Sequence, residues 1–306
     1  MKTLQIVIHC LPREIDQLER VLDKLHEGAS LLEPSHRVLL DVTLNLNTLF
    51  TDWSTSTLDK DFFINKLNII KERNDWTYKN LFEIDTENKC LGINDKRRNS
   101  IREVGEEVTH LMYLDLDLYF SSLNLGYLFL ALDQIPNKYH IISSQLTKLW
   151  DNSWDILCND QFKNQNFEFY KDLDPFTMET LSRESQVEIL PINGVKFGGG
   201  WFNTFSKNLL QKINIPDSLG PYGQDDTFVM MGANMMQQKG YDIKQYVLQG
   251  MVVCENIKYS IYRHNPYQNY ITDISYTNSG RDFKKKYREQ SHIAYQQELQ
   301  NLINKL

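Results

Sequence analysis

The run LQIVIHCL (residues 4–11) passes directly into REIDQLERVLDKLHEG, and this junction narrows the possible folds more than any other feature of the chain. The first segment has the β-branched density of a buried strand. In the second, Ile15, Leu18, Leu22 and Leu25 recur at helical spacing, and Gly28 is placed to end the helix. The alternation continues: HRVLLDVTLNLN predicts a strand, FFINKLNIIKER a helix, and NDKRRNSIREVGEEV a helix running into the strand HLMYLDL. Strand and helix in turn predict an α/β protein, a mixed sheet flanked by helices. Further along, YHIISSQL reads as a strand and residues 150–190 as a polar, aromatic-rich connection. VKFGGGWFNTFSKNLLQKI reads as strand, glycine turn and helix, and GPYGQDDTFVMMGANMMQQKG as a loop becoming a helix that ends at Gly240. YDIKQYVLQGMVVC is strand-like, and Phe283 to Leu306 is helical. With no internal repeat and no linker rich in Pro, Gly or Ser, the chain reads as one composite domain.

Several functional classes are disfavoured at once. A formal charge of −7 does not suit a general nucleic-acid binder, although local basic patches can still serve phosphate. Four cysteines, Cys10, Cys90, Cys158 and Cys254, lie far apart with no CxxC pair, which fits reduced thiols better than a disulfide framework or a zinc site. The opening MKTLQIVIHCLP reads as a strand rather than a signal peptide. No apolar stretch approaches the roughly 20 residues of a membrane helix. A soluble, cytoplasmic protein is expected.

The strand candidate HLMYLDLDLYF ends by presenting Asp115 and Asp117. Residues i and i+2 of a strand share a face, so the two carboxylates would converge. At the carboxyl end of a strand in an open α/β sheet, that face opens on the usual ligand crevice. Converging carboxylates repel unless a cation sits between them, and Mg²⁺ or Mn²⁺ takes one or two such oxygens while leaving positions for phosphate. The plain alternative is a strand end whose acids face water. The chain supplies its own control in KDLDPF, where Asp172 and Asp174 follow lysine, precede proline and have no apolar run leading in, as in a solvated turn.

GPYGQDDTF places Asp225 and Asp226 directly ahead of a helix. One can cap the free N–H groups there, leaving the other to accept a proton. YRHNPY adds His264 in a loop, a candidate metal ligand as neutral imidazole or an ordinary surface residue. KFGGGWFN is the densest glycine run. Gly199 and Gly200 would let a ligand approach the backbone, with Trp201 as a stacking floor, or the run is a tight turn with Trp201 in the core. It lacks the G-x-x-x-x-G-K-[ST] arrangement of a P-loop.

In order, these pieces resemble a nucleotide-sugar glycosyltransferase of the GT-A fold. The first half, with RRNSIREVGEEVTHLMYLDLD, is similar to family 2 enzymes, whose pattern is Arg-Asn, a helix and a strand ending in the D-x-D motif. The second half, KFGGGWFNTFSKNLLQKINIP, YGQDDTFV and YRHN, resembles β-1,4-galactosyltransferase-like enzymes. The resemblance covers about Leu4 to His264. It implies a transferase domain over residues 1–270, with a nucleotide-sugar-binding half (1–120) and an acceptor-binding half (121–270), followed by a C-terminal helical extension (271–306). It also implies that Asp115, Asp117 and His264 hold Mn²⁺ or Mg²⁺, that Arg13 and Arg98 approach the donor, that Asp225 is the base, and that Asp226 positions the acceptor. The family's glutamate before the base is Gln224 here, and its tryptophan is replaced around Tyr222.

The implied reaction is an inverting transfer of a hexosyl or pentosyl group from a UDP-sugar to an acceptor hydroxyl. Glycan, lipid-linked sugar, protein and hydroxymethylated DNA stay open as acceptors. NDKRRNSIR (94–102) and RDFKKKYR (281–288) are the stretches that can meet a polyanion or, alternatively, a donor arginine and a solvated helix face. Two rivals stand beside it: a sugar-nucleotide nucleotidyltransferase, against which the glycine-free IHCLPREID counts, and a non-catalytic binding protein.

Overall fold

The computed structural model describes residues 1–74, 79–87, 89–146, 157–160, 177, 180, 186–196, 201–256, 265–274 and 278–306. In chain order the elements are β1 (Lys2–Cys10), α1 (Ile15–Ala29), β2 (His36–Asn45), β3 (Thr51–Asp52), α2 (Lys60–Arg73), β4 (Lys79–Asp85), α3 (Ile93–Arg102), β5 (His110–Tyr113) and β6 (Leu118–Phe120). They continue with α4 (Leu123–Gln134), β7 (Tyr139–Leu146), β8 (Glu188–Ile192), β9 (Asn203–Ser206), α5 (Lys207–Ile213), α6 (Asp225–Gln238), β10 (Ile243–Glu255), β11 (Thr272–Asp273) and α7 (Asn278–Lys305).

Nine of the described strands share one sheet in the order β4-β2-β1-β5-β9-β7-β10-β6, with β8 also paired to β10. β4, β2, β1 and β5 run parallel. β9 then enters antiparallel between β5 and β7. The sheet is therefore mixed and flanked by helices, as the alternation of the sequence predicts. β1 is buried almost throughout because both of its faces are covered. Leu4, Ile6 and Ile8 face α1, α2 and α4, whereas Val7 joins the layer of α3, α5, α6 and α7. The carboxyl ends of β1 and β5 lie beside the point where strand direction reverses, the usual place for a ligand crevice.

Residues 271–306 contribute to the fold: β11 pairs with β3, and Tyr295, Leu299 and Leu302 of α7 are buried in the second core layer. Two expectations change. The helix expected over 94–108 stops at Arg102, and the chain turns at Gly105, whose carbonyl accepts from Val108 N–H and Lys207 Nζ. Gly28 lies inside α1, which ends at Ala29. It is there for space, since a Cβ at this position would stand 2.5 Å from the Ser122 carbonyl oxygen and 3.1 Å from Leu125 Cβ at the start of α4. The connection 150–190 and the Asp172–Asp174 control fall almost wholly outside the described residues.

Glycine to alanine within a helix ordinarily gains about 1 kcal/mol. At Gly28 the close backbone oxygen reverses the sign, and Gly28→Ala is expected to lose about 1–2 kcal/mol net through overpacking of α1 on α4. Denaturant unfolding of the variant measures this, and a gain in stability would refute the close approach.

Candidate active site

The crevice holds a cavity of about 230 Å³. It is lined by His9 near the end of β1, Leu11 just after it, Phe50 ahead of β3 and Ile93 at the start of α3. The charged lining residues are Arg13, Glu14, Arg97, Asp115 and Asp117, with Tyr222 from the loop before α6.

Asp115 and Asp117 do converge on this cavity, but not through the pleat of a strand. β5 ends at Tyr113, and both acids lie in the turn that follows. Backbone bonds clamp that turn from both sides, Leu114 N–H donating to the Val7 carbonyl (3.2 Å) and Asn256 N–H to the Asp117 carbonyl. Arg20 of α1 adds bonds to the carbonyls of Leu116 (3.3 Å) and Leu118 (2.8 Å) and covers the Tyr119 ring.

Asp225 and Asp226 open α6, and their loop is pinned to the start of α3. Asn94 N–H donates to the Pro221 carbonyl (3.2 Å) and Asn94 Nδ2 to the Gly223 carbonyl (2.8 Å). Gln224, immediately before the acids, holds a left-handed backbone with φ of 62°, a costly conformation for a side chain of this kind that often marks functional loops.

One residue that no motif in the sequence marks joins the two acidic pairs. Arg97 Nη1 donates to Asp225 Oδ2 (2.5 Å) and Nη2 to Asp115 Oδ1 (2.9 Å), while its guanidinium stacks 4.8 Å from the centre of the Tyr113 ring. Arg97 is only 5% exposed. Burial opposes its charge, but Asp225, Asp115 and Asp226 together hold it protonated more firmly than an ordinary arginine. Its neighbour Arg98, the arginine expected at the donor, points the other way. It binds Asp95 and the carbonyls of Ile215, Pro216 and Gly220, stapling the backbone behind the site. The only advance signal for Arg97 was its helical phase one residue from Arg98.

The acids are strained electrostatically. Burial raises the Asp115 carboxyl to about 6, with Arg97 pulling it down and Asp225, Asp226 and Glu14 pushing it up. Asp117 is raised further, by burial and then by Asp115, Glu255 and Glu14. Asp226 also stands at about 6, from burial and the adjacent Asp225, opposed by Arg97 and the Thr227 N–H.

The remaining expected residues divide. Arg13 lines the cavity and is tied to Asp273 of β11 (2.5 Å) and to Glu14 (3.3 Å). Trp201 is half-buried against the core around Leu146, Ile192 and Val247, and the cavity wall does not include it. Gly199, Gly200 and His264 lie outside the described residues. The basic stretch 94–102 is spent internally, because Lys96 is buried on Asp41 and Arg102 pairs with Asp217. All four cysteines are reduced thiols and buried. Among the described residues no helix is long and apolar enough to cross a membrane.

No group of three or more His, Cys, Asp or Glu among the described residues is disposed to hold a metal ion. The two acids of the turn nonetheless fit a hard divalent cation. They offer carboxylate oxygens at the cavity, and Asp117, pressed by three other carboxylates, has no cationic side-chain partner among the described residues.

No protein-family profile and no curated protein matches the chain. Among solved structures it is similar to S. aureus TarS, with 12% identity over 86% of this chain and 38% of that one and a TM-score of 0.47. It is also similar to the TarS 1–349 fragment (12% identity, 95% of this chain, 71% of that one, TM-score 0.49) and to that fragment in complex with UDP-GlcNAc (11%, 81%, 58%, TM-score 0.42). The chain thus spans well under half of that TarS chain. None of the three scores reaches 0.5, so function has to be sought in the side chains themselves.

An acid whose folded pKa lies above the unfolded value of about 3.9 favours folding only while protonated, and its contribution falls as pH rises through the folded pKa. Asp117→Asn, neutral at every pH, is therefore expected to raise Tm by about 2–4 °C at pH 7.5 in chelator-treated buffer, with the gain shrinking as pH is lowered towards about 4. Thermal unfolding at the two pH values checks this. A lower Tm for the variant at pH 7.5 would show that the Asp117 charge is stabilising.

Proposed function

We propose that the protein is a metal-dependent, inverting glycosyltransferase of the GT-A type, which moves a sugar from a uridine-diphospho-sugar to an acceptor hydroxyl. The observation that carries this is the convergence of Asp115 and Asp225, from the two acidic motifs, on the single buried guanidinium of Arg97 at a cavity that also holds Arg13. Arg13 and Arg97 are cationic donors suited to diphosphate oxygens. Asp115 and Asp117, with His264 completing the set, would hold a divalent cation that withdraws charge from the departing diphosphate.

The resemblance assigns the base to Asp225, but the contacts favour Asp226. Asp225 is 5% exposed and locked to Arg97 at 2.5 Å, so taking up a proton there would cost that buried pair. Asp226 is half-buried, has no guanidinium bond and stands at about 6, close to the range in which a general base is effective. In the proposed step the acceptor hydroxyl oxygen attacks the anomeric carbon and its proton passes to the Asp226 carboxylate. The bond from that carbon to the phosphate oxygen breaks, and the diphosphate leaves with the electron pair. Attack opposite the leaving group inverts the centre. Asp225 acts as a positioning residue through Arg97.

The nucleotidyltransferase rival needs backbone N–H groups after β1 to cradle a triphosphate. Here Pro12 has no N–H, the Leu11 N–H is taken by Glu14 Oε2 (2.9 Å), and the Glu14 N–H bonds the Leu11 carbonyl (2.8 Å). Acceptor access is proposed on the Tyr222 side, where Arg288 of α7 lies 5.6 Å from the ring and Lys285 and Lys286 are exposed.

Purified protein with Mn²⁺ and a panel of nucleotide sugars is expected to release nucleoside diphosphate. Chelator should stop the release, and Asp117→Ala should lower it by about 100-fold or more. Asp226→Asn is expected to lower kcat by about 10²- to 10⁴-fold, and wild-type kcat to fall below about pH 6, where the base becomes protonated. Metal-independent binding without turnover would favour a non-catalytic sugar-nucleotide binder instead.

A further inference from the structure

Asn45, the last residue of β2, fixes the hydrogen placement of a side chain in the cavity wall. Its Oδ1 accepts the Asn47 N–H (3.1 Å) and its Nδ2 donates to the Cys90 carbonyl (2.8 Å), so exchanging the amide oxygen and nitrogen would break both bonds. With that orientation set, Nδ2 has one hydrogen left, and it meets His9 Nε2 at 3.1 Å. His9 Nε2 must therefore accept, and the neutral ring carries its hydrogen on Nδ1. Burial, with Lys96, Arg97 and Arg13 behind it, lowers the ring to about 3, so it stays neutral in the working range. His9 lines the cavity, and no described residue accepts from its Nδ1.

This leaves an unspent, uncharged donor in the wall of the cavity. Phosphate oxygens have stronger, charged donors in Arg13 and Arg97. His9 is held by Asn45 of β2, and Leu11, Phe50 and Ile93 line the same cavity, apolar residues that suit a flat and largely apolar ring. Taking the cavity as a nucleotide-sugar site, we propose that His9 Nδ1–H selects the nucleobase by donating to a ring carbonyl oxygen. A base with an oxo group at that position, as in uracil, is accepted. One with an amino group in its place, as in cytosine or adenine, sets donor against donor and is rejected.

Titration calorimetry with UDP, CDP, ADP and inorganic pyrophosphate, each with Mn²⁺, tests this on the wild-type protein, His9→Ala and His9→Gln. Wild type is expected to bind UDP at least about tenfold more tightly than CDP or ADP. His9→Ala should weaken UDP about tenfold and bring the three nucleotides within about threefold of one another, while pyrophosphate binds as before. His9→Gln, whose amide can still donate, should recover part of the preference. Unchanged nucleotide ratios in His9→Ala, or an equal loss of pyrophosphate binding, would overturn the assignment to the base while leaving the transferase reading standing. If wild type binds neither nucleotide nor pyrophosphate, the transferase reading falls and the His9 assignment with it.

Discussion

A single buried guanidinium carries the electrostatics of the crevice. Asp115, in the turn after β5, and Asp225 and Asp226, at the start of α6, would repel one another, and Arg97 is the cation that binds one acid from each segment. Such a triad stands or falls by geometry, because burying charges is costly and the attraction offsets that cost only when every partner is in place. The geometry comes from α3. Its first turn is fastened to the loop before α6 by Asn94, and a Cβ on Gly92 would stand 2.3 Å from the Pro221 carbonyl oxygen. Arg98 holds three further carbonyls on the opposite side. Adjacent arginines on one helix thus divide the work: one faces the crevice, and the other fixes the backbone that shapes it.

Around this centre the protein accepts local instability. Carboxylates crowd the turn after β5 more densely than the described cations neutralise them, and Gln224 holds a conformation that most side chains avoid. Both features lie next to the cavity rather than in the core, where β1, β2 and the flanking helices bury an apolar interior on either side of the sheet. Strain gathered in one place and offset elsewhere is the usual signature of a site poised for a ligand that supplies the missing interaction.

Local pattern read the architecture well. β7 occupies the residues of YHIISSQL, and β1, β2, α1 and α2 fall within a few residues of the periodic segments that announced them. What pattern could not supply was tertiary contact. Gly28 looks like a helix stop until Ser122 and Leu125 are known to press against it. Choosing Arg97 over Arg98 needs the azimuth of α3 relative to β5, which a polar helix does not reveal. The two acids of HLMYLDLDLYF were placed at one crevice for the wrong local reason: the pleat ends at Tyr113, and hydrogen bonds to Val7 and Asn256, remote in sequence, hold the turn. The basic stretch 94–102 illustrates the same limit, since its cations look available for a polyanion until Asp41, Asp115, Asp225 and Asp217 are seen to take them.

The second arginine of the cavity extends the coupling beyond the crevice. Arg13 is bound to Asp273, and Asp273 belongs to the short strand β11 that pairs with β3. Phe50, a residue of the cavity wall, immediately precedes β3 and accepts the Ile274 N–H at its carbonyl (2.8 Å). An anion that draws on Arg13 therefore competes with Asp273, while a ring that packs on Phe50 presses on the same two-stranded clip from the other side. Both contacts converge on residues 50–52 and 272–274, so Arg13 and Phe50 are joined through one two-stranded clip. On the transferase reading proposed above, the diphosphate and the base of the donor would meet the clip at two points and a simple phosphate at one.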